Sequence, residues 1–214
     1  MLIQSSAGNI PSTRQTGGTP NNPGGTYGEA LMSELAPQYY TLLKAGKVFS
    51  LSASGVNPAA FTGGAAGTPL LGLYNPANSP VDLVILRVVT SPRNTGTAAA
   101  AGLGFNFYAA NQGGVAVTGT QTQARNMYTQ SNTGSAAYGM VNTANTAALA
   151  SSLIMPSTCV GVTTTTPGVL ANVFADDLRG SIIVAPGCYL AYGATLALTA
   201  GVVDATLIWA EIPV

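Results

Sequence analysis

Few residues in this chain have the chemistry for catalysis. The one pair of adjacent acids is Asp176-Asp177; the other five acids stand singly. Paired carboxylates serve glycosidases or calcium sites. Calcium needs six or more oxygens in a shaped loop, and Asp176-Asp177-Leu-Arg-Gly180 lacks alternating acidic spacing. Glycosidases set their acids in an aromatic cleft, and aromatics are only 7% of the chain. The plainer reading is a polar turn ahead of Ser181-Ile-Ile-Val184, with an Asp177–Arg179 contact. Histidine is absent, which removes the commonest general base and metal ligand. Ser or Cys nucleophiles then lack their usual partner. Cys159 and Cys188 are the only thiols; they read as half-buried residues rather than a disulfide framework. No Gly-x-Ser-x-Gly elbow, zinc spacing or P-loop occurs; ahead of Gly46-Lys47 the required upstream Gly is Thr41. Tyr39-Tyr40 and Trp209 have the rings for sugar stacking, but read better as packing residues. Arg87 and Glu211 read as exposed or paired. The expectation is no enzyme, no cofactor and no metal.

Composition narrows the classes further. The chain has 214 residues, seven basic and seven acidic, and charged residues make up 7% where about a quarter is usual. Seven scattered cations cannot form a phosphate-binding patch, so no nucleic-acid partner is expected. A 47% apolar share supports a core. The 24 uncharged residues from Gly180 to Val203 are cut by Pro186-Gly187 and diluted by Gly and Thr. They read as strands around a Pro-Gly turn rather than a membrane span. The first ten residues lack the basic and apolar regions of a secretory signal.

The elements follow from local pattern. Residues 1 to 25 form an irregular arm, broken by Pro11, Gly17-Gly18, Pro20 and Pro23-Gly24-Gly25. Thr26-Tyr-Gly-Glu29 fits a capping box opening a helix that Pro37 ends near Leu35. A second short helix spans Gln38 to Lys44, with Gly46 as its C-cap. From Lys47 the chain reads as strands: Val48 to Ser52, Leu70 to Tyr74, Val81 to Val89 ended by Ser91-Pro92, and Leu103 to Phe107 with alternate residues on one face. The last strand, Val202 to Ile212, is apolar on both faces around Leu207 to Ala210, so both faces should be covered. Residues 111 to 150 form an uncharged excursion rich in Ala, Thr, Asn and Gln, apart from Arg125. Short strands with Gly, Pro and Asn turns predict an all-β sandwich or barrel. The expected organisation is an arm with short helices over 1–46 and a β domain over 47–214.

The order of segments carries a resemblance: Lys47-Val-Phe-Ser-Leu-Ser52, then Leu71-Gly-Leu-Tyr-Asn-Pro76, then Val81-Asp-Leu-Val-Ile-Leu-Arg87. The chain closes with Ile183-Val-Ala-Pro-Gly-Cys-Tyr-Leu190 and Ala205-Thr-Leu-Ile-Trp-Ala-Glu-Ile-Pro213. Over residues 38 to 92 and 181 to 214 it resembles tailed-bacteriophage virion proteins of the capsid decoration, or cement, type. The resemblance implies a jelly-roll domain and a homotrimer bound to the major capsid protein. It would sit on the capsid exterior of the virion, after assembly in the host cytoplasm, and stabilise the head. On this reading Tyr27, Leu31, Leu35, Tyr39, Tyr40 and Leu43 make subunit or capsid contacts. Leu207 and Trp209 form the trimer core. No membrane partner is implied. The rival is a receptor- or carbohydrate-binding jelly roll of a phage tail or fibre, for which the uncharged excursion is the candidate surface.

Overall fold

The computed structural model describes residues 39–61, 68–93, 103–111, 120–143, 152–160, 173–195 and 202–214. The chain divides into two units, Met1–Thr41 and Leu42–Val214. Of the first, only Tyr39, Tyr40 and Thr41 are described, so Tyr27, Leu31, Leu35 and the helix expected at Thr26 lie outside the described residues. The expected second helix is α1 (Tyr40–Lys44). It ends as the glycine predicts: Gly46 has φ 68°, its N–H donates to Leu43 O, and Lys47 N–H donates to Leu42 O. That pair of bonds satisfies carbonyls the last helical turn leaves open.

The second unit is an all-β sandwich. Its strands are β1 (Val48–Val56), β2 (Leu71–Tyr74), β3 (Val81–Arg93), β4 (Leu103–Asn111), β5 (Arg125–Asn126), β6 (Tyr138–Val141), β7 (Ser152–Val160), β8 (Phe174–Val184), β9 (Cys188–Ala194) and β10 (Val202–Pro213). They form two five-stranded sheets, ordered β5-β1-β10-β3-β8 and β6-β2-β9-β4-β7. Set aside the short β5 and β6, and the orders become β1-β10-β3-β8 and β2-β9-β4-β7. Successive long strands then alternate between sheets, except β4 and β7, which pair with each other. This is the eight-stranded jelly roll. β5 and β6 come from the uncharged excursion and extend one edge of each sheet.

Alternation builds the core. Phe49 and Leu51 from β1, Leu83 and Ile85 from β3, and Leu207 and Trp209 from β10 face Leu71, Leu73, Phe105, Phe107, Leu190 and Tyr192 of the other sheet. Trp209 stacks on Phe49 at 6.2 Å, and Tyr192 stacks on Phe105 at 5.4 Å. β3 keeps both its halves in register with the core through a bulge. The pairing shifts between Ile85 and Arg87, so Leu83 and Ile85 face inward before it and Val88 after it. The strand runs on to Arg93, with Pro92 opposite Val203, so Ser91-Pro92 does not end it.

Two expectations are corrected here. Asp176-Asp177 does not form a turn: both residues lie within β8, where Arg179 (φ 49°) and Gly180 (φ 84°) make a bulge instead. Leu207 and Trp209 are not a trimer core. They are 1% and 0% exposed in the single chain, enclosed by its own two sheets, where no neighbour can reach them. Leu207 and Trp209 lie on the inner face of β10, covered by the other sheet, while Thr206 and Ile208 on its outer face are half-buried. β10 is the middle strand of its sheet. Among the described residues the indole N–H of Trp209 has no hydrogen-bond partner. That costs about 1–3 kcal/mol, against roughly 3–5 kcal/mol that a buried Trp contributes by packing.

Candidate interaction surface

Most of the residues that carry the resemblance lie within strands, and two pieces of them, Asn75 and Ala185–Cys188, sit at joints of the fold. Asn75 is fully buried; its Nδ2 donates to Val81 O at 2.8 Å and to Val184 O at 2.9 Å. Its backbone N–H donates to Cys188 O, and its carbonyl accepts from Gly187 N–H. One side chain thus ties the end of β2 to the start of β3 and the end of β8. Ala185 to Cys188 is the predicted Pro-Gly turn: Cys188 N–H returns to Ala185 O at 3.0 Å, and Gly187 takes φ 81°, which a side chain would disfavour. These residues organise strands, and the half-buried thiol of Cys188 is the one reactive group among them.

The candidate reactive residues are scattered. Arg179 Nε meets Asp177 Oδ2 at 3.0 Å, an exposed pair as expected. Asp176 Oδ2 accepts from Ser157 Oγ, linking β8 to β7. Nearby, Thr90 and Tyr192 share a buried hydroxyl–hydroxyl bond of 2.8 Å between the sheets. Burial pushes the Tyr192 phenol up to about 12; hydrogen bonds from Thr90 and Ser157 partly oppose this, and the Asp176 charge adds to it. No group of three or more metal-ligating side chains exists among the described residues. Arg87 is exposed. Glu211, expected to be exposed or paired, is instead 4% exposed and bonded through Oε1 to neutral groups, as described below. Cys159 lies opposite Gly104 and Cys188 opposite Asn111, seven residues apart along β4 and on its two sides. At about 3.3 Å per residue their α-carbons stand over 20 Å apart, beyond disulfide reach. Cys188 is a free thiol.

Of the residues expected to make contacts, Tyr40 is exposed and Tyr39 and Leu43 are half-buried. Tyr39 holds φ 68°, unusual for an aromatic residue.

Sequence reading missed a different feature, the turn that follows β5. It is uncharged and displays Met127 (36% exposed) and Tyr128 (51% exposed). Asn126, itself buried, organises it. Its Oδ1 accepts from the N–H groups of Tyr128 and Thr129 at 2.9 and 3.0 Å. Its Nδ2 donates to Gly46 O at 2.7 Å, which fixes the turn to the cap of α1. Met127 N–H donates to Val48 O. Further on, Glu211 Oε1 accepts from Ser135 Oγ at 2.7 Å and Ala136 N–H at 3.0 Å. Lys44 Nζ lies 5.0 Å from the centre of the Tyr128 ring. The available signal was Asn, Ser, Thr and Gly clustered over Asn126 to Ser135, the composition of side-chain-bonded turns.

At the opposite edge of the sandwich lies a second feature. β7 and β8 are the outermost strands there, and between them opens a cleft of about 250 Å³ lined by Ile154, Ile183, Val184, Cys188 and Leu190 among others. Neither surface gathers acids, thiols or cations toward one point.

Neither protein-family models nor curated proteins give a match for this chain. Function is therefore read from residues and geometry.

Proposed function

We propose that the chain is a virion structural protein: a homotrimeric decoration protein that binds the outer surface of a phage capsid and stabilises the head. One observation carries the reading. The segments that resemble decoration proteins supply β1, β2, β10 and parts of β3, β8 and β9 of an eight-stranded jelly roll, and Asn75 and the Ala185–Cys188 turn within them hold strands together. Scarce charge fits attachment by apolar and hydrogen-bonded contact rather than by electrostatic steering. Trimerisation rests on the resemblance alone, since Leu207 and Trp209 are enclosed within one chain. Tyr39 and Tyr40, with Tyr27, Leu31, Leu35 and Leu43, are the proposed contacts of the N-terminal segment. A specific observation also favours the rival reading, a glycan- or receptor-binding protein of the tail: Tyr128 and Tyr138 are exposed on an amide- and hydroxyl-rich segment.

The test adds purified protein to undecorated heads at low and high salt and measures occupancy. The expected result is saturable binding that high salt weakens little, because screening acts on charges and not on buried apolar area. Deleting residues 1–25, or replacing Tyr39 and Tyr40 with Ala, should lower occupancy. Collapse of parent binding at high salt would overturn the apolar account. Failure to bind heads at all would overturn the function.

A further inference from the structure

We infer that the turn Asn126–Thr133, with Tyr128 as its anchor, is a docking surface of the β domain, and that its partner is an uncharged surface of the shell protein. This deepens the proposed function and rests on it.

Four observations lead there. First, among the described residues Met127 and Tyr128 are one of two adjacent pairs of large exposed side chains, the other being Leu153 and Ile154 at the far edge. An exposed Tyr is a rigid, amphipathic contact residue, with little conformational entropy to lose on binding. Second, the turn is pre-organised. Asn126 caps it from within, Asn126 N–H donates to Ser131 O, Gln130 N–H donates back to Asn126 O, and Ser131 and Thr133 share a hydroxyl bond. Gln130 is held at φ 61°, a costly conformation for a residue with a side chain. A segment ordered before binding loses less on binding. Third, the turn adjoins the root of the N-terminal segment: Asn126 Nδ2 bonds Gly46 O, and Lys44 faces Tyr128. The turn and the end of α1 therefore present one continuous surface. Fourth, the turn itself is free of charge and its charged neighbours here are the exposed Lys44 and Arg125, so the matching surface should offer mainly apolar and neutral hydrogen-bonding groups and no cations of its own.

A sugar is the weaker match. Lys44 lies over one face of the Tyr128 ring, a face on which a sugar would stack. The nearby carboxylate, Glu211, is buried and bonded to Ser135 and Ala136, so it is not offered to hydroxyl groups.

The experiment measures affinity for undecorated heads with the full chain and three variants: Tyr128→Ala, Tyr128→Phe, and Leu153→Ala as a control. Leu153 is 54% exposed on β7, at the far edge of the sandwich. Tyr128→Ala should weaken binding roughly 10- to 30-fold, as truncation of an aromatic anchor does. Tyr128→Phe, which keeps the ring under Lys44, should stay within about threefold of the parent, and Leu153→Ala should match it. Parent-like binding by Tyr128→Ala overturns the inference and leaves the decoration reading standing. Equal losses in Tyr128→Ala and Leu153→Ala also overturn it. Retained head binding by Tyr128→Ala, with loss of binding to host envelope glycans, overturns it in favour of a sugar platform. A parent that does not bind heads overturns both readings.

Discussion

Two side chains show how single residues hold this sandwich together. Asn75 gives both its N–H bonds to buried carbonyls of strands far apart in sequence. Asn75→Ala leaves the carbonyls of Val81 and Val184 without that donor. It should cost about 2–4 kcal/mol, read as a lower urea midpoint at unchanged slope. Asn75→Asp should cost more, because it sets an acceptor against two acceptors. Tyr192 supplies a pH signature. Its phenol is held by burial at about 12, above the ordinary value of 10.0 that the unfolded chain would have. The folded state therefore keeps the proton longer. Stability is fully present below pH 10 and falls as the pH rises toward 12, by about 2–3 kcal/mol in all. Urea unfolding from pH 8 to 11.5 should show the decline begin near pH 10, and Tyr192→Phe should flatten it.

Among the elements, those set by short-range pattern were legible and those set by pairing were not. Gly46 after an apolar helical turn predicted the cap. Ser181 to Val184, Pro186-Gly187 and Cys188 to Tyr192 predicted the β8–β9 hairpin. Alternation placed Phe105 and Phe107 on one face. By contrast, Asp, Arg and Gly over 176–180 suit a turn and a bulge alike, and only the pairing of β8 with β3 decides for the bulge. β5 and β6 escaped notice because each is too short to show a period. The turn they flank depends on Glu211, which is distant in sequence. Glu211→Ala should remove the acceptor for Ser135 and Ala136 and loosen that segment. Hydrogen exchange at Ala136 N–H should then quicken by tenfold or more, about 1.4 kcal/mol of lost protection, while amides of the β3–β10 pair stay protected. Equal acceleration in both places would show that Glu211 supports the whole sandwich instead.

For the whole molecule, the sequence identified an all-β sandwich but not where its most apolar strand would lie. Leu207 to Ala210 fit an oligomer interface as well as a core, and only the packing of the two sheets shows that Leu207 and Trp209 face inward while Ile208 is half-buried on the outer face. The candidate docking turn was hidden for the opposite reason: its residues are polar and individually ordinary, and only their mutual bonding and the exposure of Tyr128 set them apart. The resulting molecule has Asn75 and the Ala185–Cys188 turn at its strand joints and few charged residues to place on its outside. The most direct test of the decoration reading is the number and position of copies on the particle, by quantitative mass spectrometry and electron microscopy of purified virions. The account predicts many copies, in fixed ratio to the shell protein and spread over the head lattice. A handful of copies at the tail tip, or none on the particle, would contradict it.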